Sequence, residues 1–204
     1  MKTKYLVTGI FFLAIISVSL SAQNFDSKIS DAQSAYKSGD LDGARMALQD
    51  ALNEVNMAIG KEVINLLPEN MKDLSYNKQD DNVNGSGVGY SGLFVSRNYG
   101  ETGTGKSASV TIIADSPLMA GINTILAMPA IMTSGADSNQ KRIKIGTYKA
   151  LLQINDTDNG KKNYDVQVPF GSSLLTFHCD GYSEADAVSM ANTIPVSKID
   201  EKTR

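Results

Sequence analysis

The stretch Gly100-Glu101-Thr102-Gly103-Thr104-Gly105-Lys106-Ser107 has the spacing of a phosphate-binding loop, G-x-x-x-x-G-K-[ST]. In that motif a strand delivers the chain to a glycine-rich turn that opens a helix. Loop N–H groups and the helix N-terminus cradle the phosphates, and the lysine reaches the outer ones. Leu93 to Tyr99 suits the strand, but the residues from Ser107 onward do not suit a helix. Ala108, Val110, Ile112 and Ala114 alternate with Ser107, Ser109, Thr111 and Ile113, a period of two rich in β-branched residues. The expectation is a β-hairpin with Gly100–Ser107 at its tip, exposed and mobile, and no nucleotide bound there. Gly87-Val88-Gly89-Tyr90-Ser91-Gly92 fits G-x-G-x-x-G, yet it too precedes a strand pattern with no βαβ unit around it.

The remaining reactive groups are few. His178 is the single histidine and adjoins Cys179, the single cysteine. On a strand, neighbours point to opposite faces, so the two cannot form a nucleophile–base pair in a regular strand. Two such ligands are too few for zinc without carboxylates that the spacing does not supply. Asp80, Asp81, Asn82 and Asn84, and separately Asp156 and Asp158, lack the ligand spacing and terminal glutamate of a calcium loop. No serine sits in a nucleophile-elbow context. The expectation is a protein that is not an enzyme, with no catalytic, cofactor-binding or metal-binding residues.

The elements that must position these residues begin after a leader. Lys2 and Lys4, the uncharged apolar run Leu6–Leu20 and the small residues up to Ala22 read as a secretory signal peptide, residues 1–22. No cysteine lies near the cleavage point, so the lipoprotein route is excluded, and the expected location is periplasmic or secreted. The run is short for a membrane span, and retention as an anchor is the alternative. The 204-residue chain carries 19 basic and 22 acidic residues, and loses Lys2 and Lys4 with the leader. A mildly acidic chain with no basic stripe is a poor partner for nucleic acid or anionic headgroups. One cysteine allows no internal disulfide, so the fold rests on its core.

Residues 23–60 read as a helical hairpin. Ile29, Ala32 and Tyr36 recur at helical spacing; Ser38-Gly39-Asp40 breaks and restarts the helix; Ala44, Leu48, Ala51, Leu52, Val55 and Ile59 continue the stripe. Ala32, Tyr36, Gly39-Asp40-Leu41, Ala44, Leu48 and Ala51-Leu52 resemble one tetratricopeptide unit, without the proline that closes such a repeat. The resemblance implies a unit that must pack against the rest of the chain, a second copy or a partner, because such repeats need neighbours to bury a core.

Gly60 reads as a break, and residues 61–204 as an α+β domain. Helix resumes to Leu67 and stops at Pro68. A short strand is expected at Leu74–Tyr76 and a loop over Lys78–Gly87. After the hairpin, Asp115-Ser116-Pro117 reads as a capped start for a helix over 117–132. Four strands follow, near Arg142–Ile145, Tyr148–Ile154, Tyr164–Val168 and Leu174–Cys179. Ser183-Glu184-Ala185-Asp186 then opens a last helix, ended at Pro195. Short connections mean antiparallel pairing, so the fold class is α+β: an N-terminal helical hairpin followed by a curved antiparallel sheet with helices packed on one face. In element order the domain is similar to small periplasmic PsbP/Mog1-like α+β domains, a likeness that implies no catalytic residue.

The helix over 117–132 carries Met119, Ile122, Leu126, Met128 and Met132 on an uncharged run. These residues are core cover, or an adaptable apolar surface for a ligand or partner. The expected function is an exported, non-catalytic binding or interaction protein of the bacterial envelope. The alternative is a carrier of an apolar small molecule or lipid between the sheet and this helix.

Overall fold

The computed structural model describes residues 16–86, 92–100, 105–128, 139–157 and 160–204. They fall into two compact units, divided between Ala58 and Ile59. The leader expected over residues 1–22 lies mostly outside the described residues; helix α1, Ile16–Ser38, begins within it. Among the described residues no helix is long and apolar enough to cross a membrane.

The first unit is the expected hairpin. Gly39 adopts φ +82°, which lets its N–H reach the Tyr36 carbonyl (3.1 Å) and the Asp40 N–H reach that of Ala35 (2.9 Å). This left-handed closure satisfies carbonyls that the end of a helix leaves unpaired. Asp40 Oδ1 then accepts the Gly43 N–H at 2.9 Å and caps helix α2, Leu41–Leu66. Lys28 of α1 and Asp50 of α2 form an ion pair at 2.9 Å.

The break expected at Gly60 does not occur: α2 runs through it to Leu66. Glycine is there for space. A Cβ at residue 60 would collide with Val83 Cγ1 and Leu93 Cδ1.

The second unit is organised by a seven-stranded antiparallel sheet that is open. Its strands are β3 Asn82–Asn84, β4 Phe94–Tyr99, β5 Ser107–Ile113, β6 Gln140–Ile145, β7 Tyr148–Asp156, β8 Lys162–Phe170 and β9 Ser173–Asp180. They lie in the order β3-β4-β5-β9-β8-β7-β6. Two meanders are joined where β5 pairs with β9, from Ser107↔Asp180 to Ile113↔Leu174. The chain leaving β5 must cross the sheet to start β6 at the far edge, four strand spacings or about 19 Å away. Helix α3, Met119–Ala127, lies on that crossing.

A separate ribbon pairs β1, Asn70–Met71, with β2, Leu74–Ser75. Strand β3 falls within the loop expected over Lys78–Gly87, and β1 where no element is expected, because two or three residues carry no periodicity. Arg97 binds this region to the sheet. Only 4% exposed, it donates from Nε to Asp81 Oδ1 (2.8 Å), from Nη2 to Asp81 Oδ2 (2.6 Å) and from Nη1 to the Leu67 carbonyl (2.9 Å). It also stacks over the Tyr76 ring at 4.2 Å.

One face of the sheet carries the main core: Val95, Val110, Ile112, Leu152, Val166, Leu175 and Phe177 are fully buried. Helix α4, Glu184–Ala191, closes this face with Ala187 and Met190; its N-cap is Ser183, whose hydroxyl accepts the Asp186 N–H at 3.2 Å. Helix α5, Val196–Thr203, adds Val196 and Ile199 to the same core. The sequence reading ends the helices at Pro195, whereas the chain resumes helix immediately after it.

The helices do not share a face. Ile122 and Leu126 of α3 pack with Leu151 and Leu174, which alternate with Leu152 and Leu175 of the main core and so point the other way. The single-sided arrangement expected from the sequence is two-sided, because α3 must cross the sheet on the face that α4 and α5 leave open. Helix α3 also starts later than expected: Ala114 and Asp115, the latter at φ +51°, form one turn and Pro117 and Leu118 another before it.

Candidate functional site

The strands on either side of Gly100–Ser107, β4 and β5, pair antiparallel from Phe94↔Ile113 to Tyr99↔Ala108. Strand, not helix, begins at Ser107. Residues 101–104 lie outside the described residues. Lys106 is exposed, as expected, but its side chain is paired. Its Nζ lies 3.0 Å from Asp73 Oδ2 and 4.9 Å from the centre of the Tyr182 ring, and the Tyr182 hydroxyl donates to Asp73 Oδ1 at 2.6 Å. These hydrogen bonds, Tyr182's first, hold the Asp73 carboxyl down to about 2. Backbone packing fixes the same place. A Cβ at Gly181, φ +75°, would collide with the Gly105 carbonyl. Of the dinucleotide-like stretch, residues 87–91 lie outside the described residues.

His178 and Cys179 take opposite faces of β9, as strand alternation requires. Cys179 is fully buried, and burial pushes its thiol up to about 12. His178 lies on the outer face between two carboxylates: Nδ1 is 2.7 Å from Asp165 Oδ1 and Nε2 is 3.1 Å from Asp180 Oδ2. Ser107 Oγ donates to Asp180 Oδ2 at 3.2 Å, and Asn155 Nδ2 to Asp165 Oδ2 at 2.8 Å. The hydrogen bond to Asp165 raises the His178 pKa against the opposing effect of burial. Both ring nitrogens are engaged by carboxylates, so the ring has no direct hydroxyl or thiol partner to activate. The acidic cluster near residue 80 is also engaged: Asn77 and Asp80 bond each other at 2.8 Å, and Asp81 holds Arg97. Among the described residues no group of three or more His, Cys, Asp or Glu could hold a metal ion.

The residues expected on one apolar surface separate. Ile122 and Leu126 are 5% and 8% exposed and fill the contact between α3 and the sheet. Met119 packs beside them, Met128 is 38% exposed at the helix end, and Met132 lies outside the described residues. The contact between helix and sheet is therefore occupied by side chains. Open space lies beside α3 instead, in two adjoining grooves of about 420 Å³ and 380 Å³ that share Leu126 and Lys149.

Among the described residues, most of the exposed large hydrophobic side chains belong to the hairpin. Its buried residues are small, Ala32, Ala44 and Ala51, while Tyr36, Leu41, Met46, Leu48, Leu52 and Val55 are exposed. At 100° per residue, Leu41, Leu48, Leu52 and Val55 fall within about 60° of one another. They make a stripe about 21 Å long at 1.5 Å per residue. Leu41, Leu48 and Val55 recur every seven residues, the interval at which one helix presents knobs to another. The sequence reading places these leucines on the same stripe as the alanines. Which of the two lines is covered depends on the neighbours, so periodicity alone does not separate them.

Comparison of the chain with family models, with curated proteins and with solved structures finds no match. The tetratricopeptide and PsbP/Mog1-like resemblances accordingly rest on the residues and element order quoted for them.

Proposed function

We propose that this is an exported, non-catalytic interaction protein of the bacterial envelope, in which the α1–α2 hairpin docks an amphipathic helix of a partner protein along Leu41, Leu48, Leu52 and Val55. One observation carries the reading. Of the eight large hydrophobic residues that stand exposed among the described residues, six belong to the hairpin. Exposed apolar patches on this scale mark interaction surfaces more often than chance. The seven-residue recurrence suits a helix as the occupant, since a packed helix meets its neighbour at that interval.

The non-catalytic part rests on the engagement of the reactive groups. Cys179 is sealed in the core with a raised pKa, and His178 is held by two carboxylates. Export rests on the leader-like residues 1–22.

A photo-crosslinking amino acid at Leu48 in the full chain, expressed in its own host, tests the docking. The expected result is one envelope protein, joined through an apolar helical segment, with no such product from the same group at Lys198. A product joining two copies of this chain would replace the partner with self-association. Equal labelling from both positions, or none at Leu48, would overturn the reading.

A further inference from the structure

The second unit carries a cluster of cations on the edge of the sheet. Strand β6 is one of the two edge strands, and Arg142 and Lys144 lie along it on the face that α3 covers. Arg142 stands opposite Leu151, which packs with α3, and Lys144 stands directly opposite Lys149 of β7. Like charges facing each other across a strand pair destabilise the sheet. On the other face of the same strand, Lys141 is neutralised by Glu184 at 2.7 Å. Arg142, Lys144 and Lys149 have no ion-pair partner among the described residues.

Arg142 is the unusual member. Its Nε and Nη2 are buried and have no hydrogen-bond partner among the described residues. A buried donor without an acceptor forfeits its hydration and gains nothing in return, most of all on a charged group. Two other arginines show what this pair of atoms is suited to. Arg97 gives Nε and Nη2 to the two oxygens of Asp81, at 2.8 Å and 2.6 Å. Arg204 gives the same two atoms to the two oxygens of Asp200, at 3.0 Å and 2.6 Å. Each is a side-on, two-point grip on a carboxylate. Arg142 presents the same fork with no carboxylate of the described residues against it.

The groove of about 420 Å³ runs along this cluster, lined by Leu126 and Ile143 as well as Arg142, Lys144 and Lys149. The adjoining groove of about 380 Å³ continues it past Ala127, Tyr148 and Pro169. Their sizes fall in the range of small-molecule sites. A charged end and an apolar wall lie side by side.

The geometry points to a binding site for a small amphiphilic carboxylate, a fatty-acid-like molecule, with its head on the Arg142 fork between Lys144 and Lys149 and its chain against Leu126, Ala127 and Pro169. Because Nε and Nη2 are closed to solvent, the guanidinium turns about its side-chain torsions to meet the head. Side-chain turns of this kind are fast, and Arg142 already borders the groove. The site belongs wholly to the second unit and is independent of the docking surface on the hairpin.

Calorimetric titration of the full chain with octanoate tests the assignment, alongside 1-octanol as chain without charge and acetate as charge without chain. Octanoate is expected to bind saturably at one site, with the other two at least about tenfold weaker, since a hydrogen bond to a charged group accounts for that factor. R142M should weaken octanoate about tenfold while the ligand-free chain melts at the same temperature or higher, because an unpaired buried charge has been removed. If R142M does not fold, Arg142→Lys keeps the charge, loses the fork and should show the same weakening. K149Q should give a smaller loss. Equal binding of 1-octanol, equal binding of acetate, undiminished binding by R142M or R142K, or no saturable octanoate binding would each overturn the assignment.

Discussion

The hairpin and the sheet unit distribute apolar side chains in opposite ways. In the sheet unit the large residues are inside: Phe177, Ile112, Leu152 and Leu175 are fully buried, and the outer face around His178 is polar. In the hairpin the alanines are inside and the leucines face water. Full burial of a leucine or phenylalanine stabilises a fold by about 1.5–3 kcal/mol, whereas a buried alanine adds little. The sheet unit therefore supplies its own stability. The hairpin buries little and displays much, which is what the proposed docking requires. The contrast runs along one chain: residues from Ile59 onward bury their large apolar side chains, and the hairpin before it exposes most of its own.

The largest effects should come from the sheet unit. Phe177→Ala and Leu152→Ala are each expected to lower the unfolding free energy by about 3–5 kcal/mol, measured by urea titration, through lost burial and a residual cavity. Arg97→Met should cost about 3 kcal/mol, because it strips Asp81 and the Leu67 carbonyl of their donor at a site only 4% exposed. Adding Asp81→Asn should recover part of that loss. A small effect from all of these would mean the core does not carry the fold, and the comparison would fail.

Gly60→Ala probes the part of α2 that belongs to the second unit. Alanine in an exposed helix is better than glycine by about 1 kcal/mol. Here the added methyl meets Val83 and Leu93, so the expected change is a loss of about 1–3 kcal/mol, the range for overpacking. A gain in thermal stability would show that the helix is not in close contact there.

The same glycine shows where the sequence can be read and where it cannot. Gly39 breaks the helix pattern because a local closure needs a left-handed residue, and local requirements are visible in a sequence. Gly60 marks a contact with residues more than twenty positions away, and nothing near it announces the contact. The alternation over Ser107–Ile113 is enough to set aside the phosphate loop, because period and context are both local. What Lys106 does instead is not legible, since its partners Asp73 and Tyr182 are distant in sequence. The strands β1 and β3 are too short to show a period, and α5 follows a proline that reads as a stop. At the edge of the sheet, Lys144 and Lys149 flank the Gly146-Thr147 turn symmetrically, a readable sign of two facing lysines.

The outer face of the sheet should answer to pH. His178 carries a raised pKa because Asp165 bonds its ring and attracts its charge. Its stabilisation is full below its ordinary value of 6.5 and is lost as pH rises through the raised one. For Asp165, burial acts to raise the pKa, but the bond to His178 and its charge outweigh that and lower it. Its stabilisation is full above its ordinary value of 3.8 and is lost as pH falls through the lowered one. Both contributions are complete between those two ordinary values. The difference in melting temperature between the wild type and His178→Gln should be greatest in that window and shrink towards pH 9. A difference that does not change with pH would mean the ring acts by packing alone.

The smallest effect is the one on which the comparison most depends. Leu48→Ser and Leu52→Ser, singly or together, should change the unfolding free energy of the isolated chain by no more than about 0.5 kcal/mol, because both side chains are at least half exposed. A leucine in the sheet core replaced the same way would lose several times that. If the hairpin variants instead cost about 2 kcal/mol, the leucines are covered in solution, and the cover must be a second copy of the chain. Stability would then rise with protein concentration, which repeating the urea titration at two concentrations would reveal. With no such dependence and no loss, Leu48 and Leu52 would be apolar residues that the fold does not need.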